Sequence, residues 1–472
     1  MQRNQIRDLV CGTAVSGLVL LSGCGSSSTP GTSTGLTAGI LAVPGISSAV
    51  TYSFDLGAYD PVANKYYVTD RTNKSIDVVD LNNGLAVTQF KPGFAGCQGT
   101  YTSGPGATPV NNVAIPTCSS TTGANALGTN GPGAVYPMSF IQNDQSGPDG
   151  VDVAVVTTGA KPGTYLFVGD VGFVWMLNAA TGVKSAKLAT LTPTVRADEG
   201  CYDPVDQIYA ISTPGSANPY MTFIDATTQA IIAHVIMDQP IGTASAGLEA
   251  CTFDAKTGVA GAGVFYVNND GSTAFTNGEM DGIPASDIIA LKGGAPGAQV
   301  QFLNLGTGGT NGTAVTTKWS LMTGINGLCD PTGIALGPGN DIGAMCRQGV
   351  GLPLTFQILN RTTGAVVTSI NAGGGDQITY DAGSNNWFLA TSRWTPAGTS
   401  CGGGSAACPL TPMLTVVDGT SRTVKARIPS GNNSHSVFTG GGLVFSPFTN
   451  GPSATAGGVG FPNGGIAVFF TH

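Results

Sequence analysis

"IDVVDLNNGLAVTQF", Ile76–Phe90, carries two runs of alternating apolar residues on either side of an Asn/Gly turn. That is the pattern of a strand, a tight turn and a second strand. The frame returns as "VWMLNAATGVKSAKL" (174–188), "MTFIDATTQAIIAHV" (221–235), "IIALKGGAPGAQVQF" (288–302), "FQILNRTTGAVVTSI" (356–370) and "LTVVDGTSRTVKARI" (414–428). A half copy, "IAVFFTH", occupies 466–472. Upstream of the hairpins a second unit repeats: "YDPVANKYYVTD" (59–70) is echoed by "YDPVDQIYAIST" (202–213), "FDAKTGVAGAGVFYVNND" (253–270) and "YDAGSNNWFLATS" (380–392). Each full repeat therefore holds four short strands: one ending near the YD, a "YYVTD" strand, and the two strands of the hairpin.

One such sheet cannot bury both of its faces, so copies must pack side by side around an axis. The sequence thus predicts an all-β fold, a seven-bladed β-propeller of four-stranded antiparallel blades closed by an N-terminal strand completing the last blade. "LTAGILAVPG" (36–45) supplies that strand and removes two exposed sheet edges at once. The first two hairpins are unusually far apart, which leaves room for an eighth blade. The intervening 91–148 is rich in Gly, Pro and Thr without alternation and reads as an insertion between the first and second blades. The stretch "YYVTDRTNKSIDVVDLNNGLAVTQF" resembles the YVTN family of propellers, and "DPTGIALGPGND" (330–341) resembles an NHL repeat. Both resemblances imply a fold and leave the substrate open.

Ahead of the propeller, residues 1–23 read as a signal peptide: Arg3 and Arg7 precede the apolar run "CGTAVSGLVLL", too short to span a bilayer. It ends in "LSGC", which resembles the lipobox of bacterial lipoproteins; the resemblance implies cleavage before Cys24 and lipidation of its thiol. Two acyl chains anchor stably where one is marginal. Gly25 in place of an aspartate implies the outer membrane of a Gram-negative cell envelope. Residues 24–35, Gly/Ser/Thr-rich, are expected to form a flexible tether, with the propeller spanning 36–472. Net charge is −8 with no basic run, which argues against a nucleic-acid partner. Of ten cysteines, those left after Cys11 and Cys24 are even in number, as in an oxidising compartment. The preferred pairings are Cys97–Cys118, Cys201–Cys251, Cys329–Cys346 and Cys401–Cys408. Haem and nucleotide motifs are missing from the sequence.

Catalytic signatures are missing too, and only His234, His435 and His472 could act as imidazole bases. One column stands out. Five residues before the YD aspartate, at the start of each inner strand, lie Asp55, Asp152, Asp198, Glu249, Asp376 and His435, with Asp330 in the fifth blade and Glu199 beside Asp198. Converging on one channel mouth, these carboxylates must either hold protons or share a cation. Oxygen-only ligands on rigid strands suit Ca²⁺ better than Zn²⁺. Asp55, Asp152, Asp198, Glu249, Asp330 and Asp376 are therefore the expected metal ligands, with Glu199 and His435 lining the channel. The alternative is that each aspartate accepts hydrogen bonds from backbone of its own turn. The longer connections fall on the face where inner strands begin. A binding or scaffold protein follows, taking a protein, glycan or small-molecule ligand on that face. The competing class is a metal-dependent lactonase or esterase-like hydrolase, or a lyase, of the gluconolactonase-like propeller type.

Overall fold

The computed structural model describes residues 18–19, 37–47, 52–95, 147–237, 247–257, 261–269, 278–302, 317–320, 329–347, 354–399, 410–449, 461 and 463–472. Seven antiparallel sheets form the ring, and in each the first strand lies innermost. Blade one is Phe54–Asp60, Lys65–Asp70, Ser75–Asp80 and Ala86–Phe90; blade two is Val151–Val156, Gly163–Asp170, Phe173–Asn178 and Lys184–Ala189. Blade three begins with Gly200–Asp203, blade four with Leu248–Asp254, blade five with Pro331–Leu336, blade six with Ile378–Asp381 and blade seven with Phe438–Gly440.

The repeated turn chemistry explains why the copies fold alike. Between first and second strands, Asp60 Oδ1 accepts the Val62 and Ala63 N–H groups at 2.8 and 3.0 Å, and Asp203 treats Val205 and Asp206 in the same way. Between third and fourth strands, Asn178 Oδ1 takes the Ala180 and Thr181 N–H groups, and Asn360 takes those of Thr362 and Thr363. The short side chain stands in for a backbone carbonyl, which is why Asp and Asn open these turns. The chain then re-enters the sheet through a left-handed residue, Gly182 (φ 69°) or Gly364 (φ 70°), where glycine carries no Cβ penalty.

Packing is divided between neighbours. Seven buried apolar clusters occupy the seams, one per pair of adjacent blades. In the seam between blades two and three, Phe167 and Met176 meet Tyr209, Ile211 and Ile224. Near the axis the inner strands approach so closely that a Cβ on Gly150 would meet the Asp198 carbonyl at 1.7 Å, and one on Gly333 the Asp376 carbonyl at 2.2 Å. The ring closes as expected: Thr37–Leu41 pairs antiparallel with Gly465–Phe470 as the fourth strand of blade seven. Ile40 points into the seam with blade six and Leu41 into the seam with blade one. A two-residue strand, Leu18–Val19, pairs outside it.

Blade four corrects the sequence reading. The stretch 288–302 is not its outer hairpin. Ala285–Leu291 is a helix, and Ala298–Gln301 adds in parallel to Ala230–Ile236 on the outside of blade three. The third and fourth strands of blade four are instead Glu279–Pro284 and Thr317–Ser320. Pro284, with its fixed φ, stands at the helix N-cap position, and Asp287 places a negative charge in the first turn. Glu279–Pro284, "EMDGIP", is thus a buried strand, and Thr317–Ser320 forms the blade edge.

Two of the expected disulfides are present. Cys201–Cys251 ties the inner strands of blades three and four, and Cys329–Cys346 joins the residues leading into the first strand of blade five to the end of its second. Cys24, Cys97–Cys118, Cys401–Cys408 and most of the 91–148 insertion lie outside the described residues.

If Thr37–Leu41 locks the ring, Ile40→Ala should lower stability by about 2–4 kcal/mol, since Ile40 is buried at 3 % exposure in a seam. Urea denaturation reads this as a lower midpoint with an unchanged slope. An unshifted midpoint would mean that the ring does not depend on this strand.

Candidate functional site at the channel mouth

The inner strands begin together at one mouth of the channel, and the carboxylates of the sequence column gather there. They do not form an open ring of like charges, because three arginines stand among them. Arg71 Nε and Nη2 donate to Asp149 Oδ1 at 2.8 and 2.6 Å, and Nη2 also reaches Asp55 Oδ2 at 2.5 Å. Arg196 pairs with Asp198 at 2.6 Å and approaches Asp55 at 3.5 Å. Arg347 binds Glu249 at 2.8 Å and Asp330 at 3.3 Å. Arg71 and Arg196 are buried, at 2 % and 7 % exposure.

The remaining column residues occupy distinct places. His435 lies between the Asn433 carbonyl (Nδ1, 2.8 Å) and Asp55 Oδ1 (Nε2, 3.2 Å), and stacks on Phe54. Glu199 Oε2 accepts a 2.7 Å hydrogen bond from Gln377 Nε2, joining blade three to blade six across the ring. Asp376 stands at the start of the blade-six inner strand, with its backbone N–H on Ala390. Asp152 lies apart from the ion pairs and lines the channel cavity. His234 sits in an outer strand, buried against Tyr220, its Nδ1 3.0 Å from the Thr222 hydroxyl.

The sequence reading missed Asp149 and the arginines. Asp149 is fully buried and takes the place of blade two at the mouth. Two of the arginines did leave a signal: Arg71 and Arg347 each follow directly on a second strand, Lys65–Asp70 or Asp341–Cys346, which ends on the face where the inner strands start. No sequence pattern marks Arg196.

Electrostatics divide the cluster. Burial opposes ionisation of Asp55, but Arg71, then His435 and Arg196, outweigh it and hold the carboxyl below its usual range. Elsewhere burial wins. It raises Asp149 to about 8 against the pull of Arg71 and Arg196, Glu249 to about 7 against Arg347, and Asp152 to about 8. Asp198 is pushed up despite Arg196, and Glu199 is pushed up by burial and then by Asp376, Asp198 and Glu249.

Two triads bring carboxylate oxygens within 4.8 Å of one another: Asp55, Asp149 and Asp198, and Asp198, Glu199 and Glu249. The first is saturated by Arg71 and Arg196, so a metal there would face guanidinium groups. In the second, Asp198 and Glu249 are likewise paired with Arg196 and Arg347, but Glu199, whose partner is a neutral amide, is free of a guanidinium and fits part of the oxygen shell of a hard cation.

No protein-family model matches the chain, and none of the curated proteins does. Among solved structures, hydrazine synthase of Kuenenia stuttgartiensis aligns over 94 % of this chain and 99 % of that one, at 10 % identity and a TM-score of 0.50. The computationally designed Ika8 protein aligns over 91 % and 98 %, at 9 % identity and a TM-score of 0.43. At such identities the likeness to hydrazine synthase extends to the propeller fold and no further.

The pH dependence follows from the signs. A carboxyl raised above its ordinary value stabilises the fold while protonated; that contribution is complete below the ordinary value and is lost as pH rises through the folded one. Asp149, Asp152 and Glu249, raised from 3.8 or 4.5 to about 8, 8 and 7, therefore lower the stability as pH climbs from about 4 to 8. Asp55, held low, acts oppositely, and its contribution is lost only as pH falls below the ordinary carboxylate range. In chelator, the melting temperature should peak at mildly acidic pH and fall towards pH 8; a flat or rising profile would contradict these shifts. Arg71→Gln, which strands Asp55 and Asp149 without their guanidinium, should cost about 3–5 kcal/mol in denaturant unfolding at neutral pH.

Proposed function

We propose that this chain is an exported, lipid-anchored binding propeller that holds a hard divalent cation, Ca²⁺ by preference, at the channel mouth. The observation that carries the reading is the Asp198, Glu199 and Glu249 triad, whose oxygens lie within 4.8 Å of one another in a buried site. Burial with mutual repulsion makes these carboxylates costly to ionise, and a cation relieves the cost that protons otherwise relieve. The three would supply oxygen ligands from rigid inner strands; Asp376 is a charge in the same field. Asp198 and Glu249 would share their oxygens between the cation and Arg196 or Arg347, while Asp55, Asp149 and Asp330 serve the arginines alone. The two observed disulfides and the lipobox-like "LSGC" support export, and anchoring at Cys24 would place the binding face in the cell envelope.

If a cation binds only the folded state, it stabilises by RT ln(1 + [L]/Kd), about 2.7 kcal/mol at a hundredfold excess over Kd. Chelator should therefore lower the melting temperature of the purified protein and Ca²⁺ should restore it, with Mg²⁺ doing less because it keeps its waters. Glu199→Gln should remove most of the Ca²⁺ response while leaving the calcium-free protein equally or more stable. Lack of any chelator or Ca²⁺ effect, together with a destabilised Glu199→Gln, would return Glu199 to a purely structural role. Separately, Cys24→Ala should move the protein from the membrane to the soluble fraction; continued membrane association would end the lipoprotein reading.

A further inference from the structure

Away from the channel, a second group of buried carboxyls stands where the ring closes. After the closing strand Thr37–Leu41 the chain leads through 42–53 into blade one, whose first strand starts at Phe54. Two residues of this lead-in are tied to a carboxyl pair, Asp70 at the end of the second strand and Asp77 in the third, both at 0 % exposure. Tyr52 donates its hydroxyl to Asp77 Oδ2 at 2.8 Å. The Pro44 carbonyl accepts Asn73 Nδ2 at 3.0 Å and Gln89 Nε2 at 3.1 Å. The same two nitrogens serve the carboxyls: Asn73 Nδ2 reaches Asp70 Oδ2 at 2.6 Å, and Gln89 Nε2 reaches Asp70 Oδ2 at 3.2 Å and Asp77 Oδ1 at 2.8 Å. Three oxygens thus converge on Gln89 Nε2, which has two hydrogens to give.

Every donor to the pair among the described residues is neutral: Tyr52, Asn73, Ser75 and Gln89. Strand register shows what blade one does without. Gln89 stands opposite Asp77, and the same place in blades two, three and six holds Lys187, His234 and Arg427. The titratable groups facing the pair are Tyr52 from the lead-in, Tyr66 from the second strand and Lys91 just past the fourth. Blade seven brings only apolar Phe445, Ile466 and Val468 to this seam. Burial raises both tyrosines, which stay neutral, and it raises Asp70 to about 6 against the weaker pull of Asn73 and Lys91. Asp77 is lifted well above the ordinary carboxylate value, by burial and then by Asp70. Carboxyls raised in this way stabilise the fold while they hold a proton, and that contribution is lost as pH rises through the folded value.

We infer that Asp70 and Asp77 form a proton-operated latch on the closure of the ring. Sharing a proton, the pair holds Tyr52 directly and Pro44 through the amides of Asn73 and Gln89. With both carboxyls ionised, like charges repel in a buried site, and the way to hydrate them is to lift whatever covers them. The lead-in yields before the blade does. Asp70 and Asp77 sit in strands paired on both sides, whereas 42–46 lies outside every strand. The seam between blades seven and one is therefore firmly closed in mild acid and opens locally at higher pH. The latch is independent of the Ca²⁺ proposal, since none of its residues belongs to the triad.

Hydrogen exchange of the purified protein, read by mass spectrometry in chelator and corrected for intrinsic rates, tests the latch. Between about pH 5.5 and about pH 8, protection of 42–47 and 52–54 should fall about tenfold or more, and that of Asp341–Cys346 in blade five should change far less. Asp77→Asn keeps the shape of the side chain and removes its charge. Gln89→Lys, at a half-buried position, restores the cation that blades two and six carry there. Each variant should leave the lead-in protected at the higher pH. Protection of the lead-in that is indifferent to pH in the wild type, or a fall that persists in Gln89→Lys and in Asp77→Asn, would overturn the latch.

Discussion

The rest of this structure depends on how seven inner strands are allowed to start at one narrow mouth. Each repeat brings a carboxylate or its equivalent to the same height, and like charges at that spacing oppose closure of the ring. Arg71, Arg196 and Arg347 resolve the conflict by lying between blades rather than within them. Arg71 belongs to blade one and holds Asp149 of blade two. Arg347 belongs to blade five and holds Glu249 of blade four. Arg196 leads into blade three and reaches back to Asp55 of blade one. Buried ion pairs add little net stability over apolar packing, but each is expensive to break by halves, so the network acts on register and closure more than on depth of stability.

The same network gives the channel two unlike ends. The mouth where inner strands begin is polar, ion-paired and bridged across the ring by Glu199 and Gln377. At the other end the YD tyrosines Tyr59 and Tyr380 direct their hydroxyls to the turns and pack their rings into the seams between blades. Carboxylates stand at the junction between the two. More buried carboxyl groups collect at the axis than the three arginines pair with, and burial raises those left over.

Much of the fold was legible in the chain because its signals are local. Alternation, Asp or Asn opening each turn, and glycine at the left-handed re-entry are read within a dozen residues, and they specify the blades whose copies are regular. The half copy at 466–472 required a partner strand, and only 36–45 was left to provide it. Blade four escaped because its strands, "EMDGIP" and "TKWS", are not alternating apolar runs; tertiary pairing made them strands. The stretch 288–302 resembled a hairpin in apolar content, but Pro284 had already set a helix start.

The candidate site was half legible, and the division has a physical cause. Sequence by itself determined that carboxylates recur at the head of the inner strands, because that position is set by a fixed count within each repeat. It favoured two cysteine pairings that the structure joins, Cys201 with Cys251 by matching places in consecutive repeats and Cys329 with Cys346 by flanking one hairpin, although connectivity itself is a tertiary fact. Only the tertiary structure decided which charges the carboxylates face, since Arg196 meets Asp55 across two blades and Glu199 meets Gln377 across the whole ring. Such contacts depend on the ring closing. The packing of the YD tyrosines was settled in the same way: a repeat places one ring, and only the neighbouring blade supplies the seam it fills.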